Sequence, residues 1–138
     1  MELRAALLCD AANISEAGKV NMLGVYSVIH SYAVPFPHTI ILVLIFVANP
    51  LELGQTHEVS IRIVDEDAKT VAKLESLPVL VPNNPGDIKP QVNVILTLQN
   101  MTFQKFGQYQ FEILVDGERA SEVLAQILPI SRMMDESE

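Results

Sequence analysis

Eight consecutive apolar residues, Ile40-Ile41-Leu42-Val43-Leu44-Ile45-Phe46-Val47, lie between the two prolines of Pro35-Phe36-Pro37 and the pair Asn49-Pro50. A membrane-spanning helix needs about 20 such residues, so the run is too short to cross a bilayer in that form. Its length, its β-branched and aromatic content and its proline-marked ends describe a strand. Alternate side chains of a strand point to opposite sides, which puts Ile40, Leu42, Leu44 and Phe46 on one face and Ile41, Val43, Ile45 and Val47 on the other. In a two-layer protein only one of those faces meets the core. The other leaves four large aliphatics in water, each worth about 1.5–3 kcal/mol if buried, so a cover is expected.

The rest of the chain reads as strand after strand, with no persuasive 3.6-residue apolar period. Leu3 to Ala12 is closed by a polar turn containing Gly18, and Val20 to about Tyr32 follows, with Gly24 marking a bulge or close backbone approach. Val34-Pro35-Phe36-Pro37 then forms a connection that crosses between sheets, because each proline removes a ladder donor. His57 to Val64 alternates cleanly, the charged turn Asp65-Glu66-Asp67-Ala68-Lys69 leads to Thr70–Leu77, and residues 78–90 read as a long proline-rich loop. Gln91 to Gln99 alternates again. Tyr109, Phe111, Ile113 and Val115 share one face, and Asp116-Gly117 supplies a type I′ hairpin turn into Glu118–Leu128. Residues 133–138 form a short acidic tail, expected to fray. About eight strands with long crossings and little or no helix predict a single all-β domain over 1–138, a two-sheet sandwich.

Composition narrows the partners. The net charge of −8 repels phosphate backbones and anionic headgroups, and the nine Lys and Arg residues form no run, so neither nucleic acid nor a membrane is an expected partner. Only five apolar residues separate Arg4 from Asp10, too few for a signal-peptide core. The single cysteine, Cys9, lies in the alternating row Leu3, Ala5, Leu7, Cys9, Ala11 and reads as a small buried hydrophobe suited to a reducing, cytoplasmic compartment.

Phe106-Gly107-Gln108-Tyr109-Gln110-Phe111 resembles the entry to the penultimate strand of an immunoglobulin-like domain, where a tyrosine two residues before a core position bonds back to nearby backbone. The segments Ala5-Ala6-Leu7-Leu8-Cys9-Asp10-Ala11-Ala12, Gly18-Lys19-Val20-Asn21-Met22-Leu23-Gly24-Val25-Tyr26, Gly107–Glu112 and Val115-Asp116-Gly117-Glu118 together resemble a family of small uncharacterised bacterial β-sandwich proteins. That resemblance implies an immunoglobulin-like fold over nearly the whole chain and brings no catalytic or cofactor residue. The chain departs from true immunoglobulins in having no tryptophan and no cysteine pair.

Candidate chemistry is sparse. His30, His38 and His57 have no zinc-ligand spacing, and His30 and His38, which flank the proline-containing connection, read as solvated strand-end residues. Asp65-Glu66-Asp67 and Asn83-Asn84-Pro85-Gly86-Asp87 read as turns before calcium loops. Ser15, Ser27 and Ser121 have no histidine at a telling distance, and no phosphate loop, nucleophile elbow or dinucleotide fingerprint occurs. The expected catalytic, cofactor-binding and metal residues are therefore none. The expectation is a non-catalytic binding or assembly module, a homodimer or other homo-oligomer, with a protein partner as the variant. Ile41, Val43, Ile45 and Val47, or their alternates, are its interface candidates. Intramolecular cover by the 78–90 loop or Leu51–Gln55 is the competing account of the apolar run. An enzyme, or a small-molecule or metal-binding protein, with its site in the loops around Pro35–His38 and Pro82–Pro90 is the alternative function.

Overall fold

Residues 1–83 and 90–130 are described by the computed structural model. Nine strands occur among them: β1 (Glu2–Ile14), β2 (Val20–Tyr26), β3 (Val28–Ser31), β4 (Phe36–Val47), β5 (Thr56–Val64), β6 (Thr70–Leu80), β7 (Gln91–Phe103), β8 (Gly107–Val115) and β9 (Glu118–Pro129). The first sheet has the order β2-β1-β4-β7 and the second β3-β9-β8-β5-β6. The β3/β9 pair is parallel and the other pairs are antiparallel. The chain is thus an all-β, two-layer sandwich.

The apolar run settles into β4, a central strand flanked by β1 and β7. Ile40, Leu42, Leu44 and Phe46 have no exposure and join Phe103, Phe111, Ile113 and Ile127 in the shared core. Ile41, Val43, Ile45 and Val47 are therefore the outward set. A 3-10 turn, Pro50–Glu52, closes the end of β4: the Asn49 side chain accepts from the Leu51 N–H and the Glu52 carboxylate from the Asn49 N–H. Pro50 stands at the start of that turn, where a missing N–H goes unmissed.

Several boundaries differ from the sequence pattern: β1 runs on to Ile14 and β7 to Phe103, past the expected Ala12 and Gln99. The segment from Val20 is two strands, because the chain leaves the first sheet at Ser27: Tyr26 pairs with Leu8 and Val28 with Gln126. The strand β4 begins at Phe36, with Pro37 paired to Thr102, so the connection between sheets is confined to Tyr32–Pro35. The proline-rich loop is shorter than 78–90, since β6 runs through Pro78 to Leu80. A proline is tolerated there because β6 is an edge strand with a side free of ladder bonds.

Local chemistry at the last hairpin follows the expectation. Asp116 (φ 52°) and Gly117 (φ 83°) both adopt the left-handed region that a type I′ turn requires. The Tyr109 hydroxyl donates to the Lys105 carbonyl at 2.8 Å and accepts from the Lys105 N–H at 3.3 Å, fixing the entry to β8 from four residues upstream. Its ring meets Phe103 edge to face at 4.8 Å.

Candidate interaction surface

The outer side of the first sheet is apolar on β1, β4 and the end of β2, and uncharged but mostly polar on β7. β1 contributes Ala5, Leu7, Cys9 and Ala11; β4 contributes Ile41, Val43, Ile45 and Val47. Their registers bring Leu7 beside Val43 and Cys9 beside Ile41. On β2, Val25 stands beside Cys9 and Leu23 beside Ala11; on β7, Ile95 stands beside Val43. The polar residues among them are uncharged. Asn21 donates to Asn13 at 2.9 Å, and Asn93 donates to the Gly18 carbonyl at 3.1 Å. Glu2, beside Val47, marks the charged end of the surface.

The face is covered unevenly. Val43 and Cys9 are each only 1% exposed although neither belongs to the core between the sheets. Leu7 and Ile95 flank Val43, and Val25 and Ile41 flank Cys9. Leu23 at 73% and Val25 at 54% stand in water, and Leu7, Ile41, Ile45, Val47 and Ile95 are half-buried. Gly24 (φ +67°) makes the bend that presents Leu23 and Val25: a Cβ there would lie 2.2 Å from the Asp10 carboxylate. Burial pushes the Cys9 thiol up, with Asp10 adding to the shift against a backbone hydrogen bond, so the sulfur stays a neutral apolar filler.

A groove of about 570 Å³ runs along the opposite edge, between β6 and β7, lined in part by Asp65, Lys69, Val71, Met101, Lys105 and Tyr109. Its charges are spent on one another. Asp65 Oδ1 accepts from the Asp67 and Lys69 N–H groups, and Lys105 Nζ lies 2.9 Å from Asp67 and 3.6 Å from Asp65. The Lys69 N–H first, then that of Asp67 and the charge of Lys105, hold Asp65 low, while Asp67 and Asp65 raise Lys105. Both shifts fix the charged forms, the reverse of what a general base or acid working near neutrality needs.

Residues 4–127 match a family of unknown function, DUF6941. The chain belongs to this family. No curated protein matches it. Among solved structures, this DUF6941 chain is similar to the Pseudomonas fluorescens alkylpurine DNA glycosylase AlkC bound to DNA containing an abasic site analog, at 15% identity and a TM-score of 0.46. The likeness covers 73% of this chain and 27% of the glycosylase, so the chain spans about a quarter of that enzyme's length. So distant a likeness does not carry the enzyme's activity over.

The DUF6941 chain places its histidines apart. His30 is exposed on β3, and His38 stacks on Phe36 with ring centroids 5.3 Å apart. His57 is not a solvated strand end: its Nδ1 is 2.7 Å from Asp116 Oδ2, and its Nε2 is 3.2 Å from Glu52 Oε2 without the alignment of a hydrogen bond. The α-amino group of Met1 also bonds Glu52. Burial pushes the Glu52 carboxyl up, but the amine, the Asn49 N–H and His57 outweigh it and hold it low. This cluster was hidden in the sequence because Glu52, His57 and Asp116 are brought together only by strand pairing. Among the described residues, no group of three or more His, Cys, Asp or Glu side chains is placed to hold a metal ion. Residues 84–87 of the Asn83–Asp87 loop and the tail 133–138 lie outside the described residues. No helix among the described residues is long and apolar enough to cross a membrane.

Proposed function

We propose that the protein is a non-catalytic assembly module that self-associates by packing the outer face of its first sheet against the same face of a second copy. One observation carries the reading: a chain of net charge −8 keeps the central part of an entire sheet face free of charged side chains. With strands about 4.8 Å apart, β1, β4 and β7 about 40 Å long and β2 about 23 Å, the face with its polar ends measures roughly 700 Å², a little below the about 800 Å² per partner of a stable interface. A two-fold contact of a surface with itself needs no complementary charge, and this one offers none. Intramolecular cover is partial: Leu53 turns into the core while Leu51 is exposed, and Leu23 and Val25 remain in water. The tyrosine bond of Tyr109 supports reading the sandwich as immunoglobulin-like, and the lone buried thiol suits a reducing, cytoplasmic setting.

Sedimentation velocity on the full chain tests the proposal. The wild type is expected to be an assembly that tightens as salt screens the repulsion between copies. Val25→Asp is expected to halve its mass with an unchanged circular-dichroism spectrum, because Val25 is half exposed and outside the core. A wild-type monomer, or a Val25→Asp variant of unchanged mass, overturns the reading.

A further inference from the structure

A sheet edge is a row of unpaired backbone donors and acceptors, and edge strands are commonly blunted by shortness, charge, proline or bulges. Three of the four edges here are blunted. The strand β3 has four residues; β2 has seven, with Gly24 at φ 67° among them. The longer β6 carries Lys73, Glu75 and Pro78, a left-handed Ser76 and two register shifts against β5. The fourth edge, β7, has thirteen residues and neither a charge nor a proline nor a glycine; a left-handed Asn100 and a register shift against β4 interrupt it only past Leu98. Among the described residues it pairs with β4 on one side only.

The segment from Gln91 to Gln99 is also self-complementary. Reversed about Ile95, it sets Val94 against Leu96, Asn93 against Thr97, Val92 against Leu98 and Gln91 against Gln99. Apolar residues meet apolar ones on the inner side, and polar residues meet polar ones on the outer side beyond the central Ile95 pair. The inward Val94, Leu96 and Leu98 are only half-buried, in contrast to the fully buried inward row of β4, and among the described residues β7 has no sheet neighbour on its far side. A strand added there would complete their cover.

We infer that β7 is a second self-association site, pairing antiparallel with the β7 of another copy about a two-fold axis at Ile95. The result is a continuous eight-stranded sheet, β2-β1-β4-β7-β7-β4-β1-β2. This inference rests on the edge and its sequence rather than on the outer face. The two contacts are compatible: the edge axis runs perpendicular to the sheet and the face axis lies parallel to it, so where the two axes intersect they close a tetramer of dihedral symmetry.

Cysteine cross-linking reads the register directly, because residues opposite one another across a strand pair have Cβ atoms about 4.5–5.5 Å apart, and the native Cys9 is buried. On mild oxidation Ile95→Cys is expected to form covalent dimers. Asn93→Cys and Thr97→Cys are each expected to cross-link poorly alone and severalfold better when mixed. Ile95, Asn93 and Thr97 all lie outside the core, so these variants are expected to fold, and circular dichroism verifies it. Cross-linking of Ile95→Cys should persist in the Val25→Asp background, which separates failure of the edge from failure of the face. Equal self-cross-linking of all three variants, or none by Ile95→Cys in either background, overturns the inference.

Discussion

The outer faces of the two sheets make different use of the same alternation. On the second sheet, the outward positions of β5, β8 and β9 carry Arg62, Gln110, Glu112, Glu122 and Gln126. Arg62 lies 2.6 Å from Glu112, and both Gln110 and Arg119 bond Glu122. On the first sheet, the corresponding positions are aliphatic, amide or hydroxyl residues, and Val43 and Cys9 are buried, flanked by their own neighbours. Both sheets share one core, so the inside cannot account for the difference. A face that serves only to meet water needs the first pattern. The second pattern has a cost in solubility that a partner removes.

Placing the same charge on each face is the sharpest way to break this comparison. Ile45→Asp puts a carboxylate beside Ala5 and Asn93 at the centre of the apolar face. An unpaired charge buried in a contact costs about 3–5 kcal/mol, so association through that face should weaken by about two to three orders of magnitude in sedimentation equilibrium. Leu124→Asp on the second sheet, at a position 45% exposed, should leave assembly intact and change stability by no more than about 0.5 kcal/mol. Equal effects of the two substitutions would dissolve the distinction between the faces.

The next effect concerns stability alone. Val43→Ala removes two buried methyl groups on the outer side of β4, at about 0.8 kcal/mol each, with a further increment for the cavity. A loss of about 2 kcal/mol in urea unfolding is expected, close to that of a core residue. A loss under about 0.5 kcal/mol would mean that the neighbours relax over the gap and that Val43 is not held by lateral packing.

Much of this was legible in the residues. Alternation placed β5, β7, β8 and β9, and Asp116-Gly117 and Tyr109 announced the last hairpin and its anchor. The apolar run announced a strand with a buried side without saying which side it was; the full burial of Ile40, Leu42, Leu44 and Phe46 decides that. Other features were invisible for physical reasons. Val20–Tyr32 is strand-forming throughout, so the change of sheet at Ser27 depends on partners about a hundred residues away, such as Gln126. Pro78 reads as a break and becomes one only in a strand with neighbours on both sides. The uncharged edge of β7 has meaning only once strand order is known, and the His57 cluster only once β5 lies beside the Asp116 turn.

On the charged face, Arg62→Ala breaks the contact with Glu112. The guanidinium is about half exposed, so the loss should be about 0.5–1 kcal/mol and should shrink as salt is added. Val43→Ala, in contrast, should be insensitive to salt. A salt-independent loss at Arg62 would assign its contribution to the packing of its aliphatic stem.

The smallest effect is a matter of pH. The Glu58 N–H, at 2.9 Å, and then His57 hold the Asp116 carboxyl below the usual aspartate range. A folded pKa lower than the unfolded value of about 3.9 means that the stabilisation is present above that value and lost as pH falls through the folded one. Acid unfolding should therefore steepen below about pH 4. Asp116→Asn, which suits the same left-handed turn position, should flatten that limb while changing stability little at pH 7. The one carboxylate of β1 between Ala5 and Asn13, Asp10, alternates to the side opposite the apolar face, so assembly should respond to pH mainly through overall charge, tightening as pH approaches the pI of about 4.7. An Asn variant with an equally steep acid limb would move the titration to Glu52 and Asp65, whose carboxyls are also held low. Assembly that loosens near the pI would place a working charge on the first sheet, where this comparison has none.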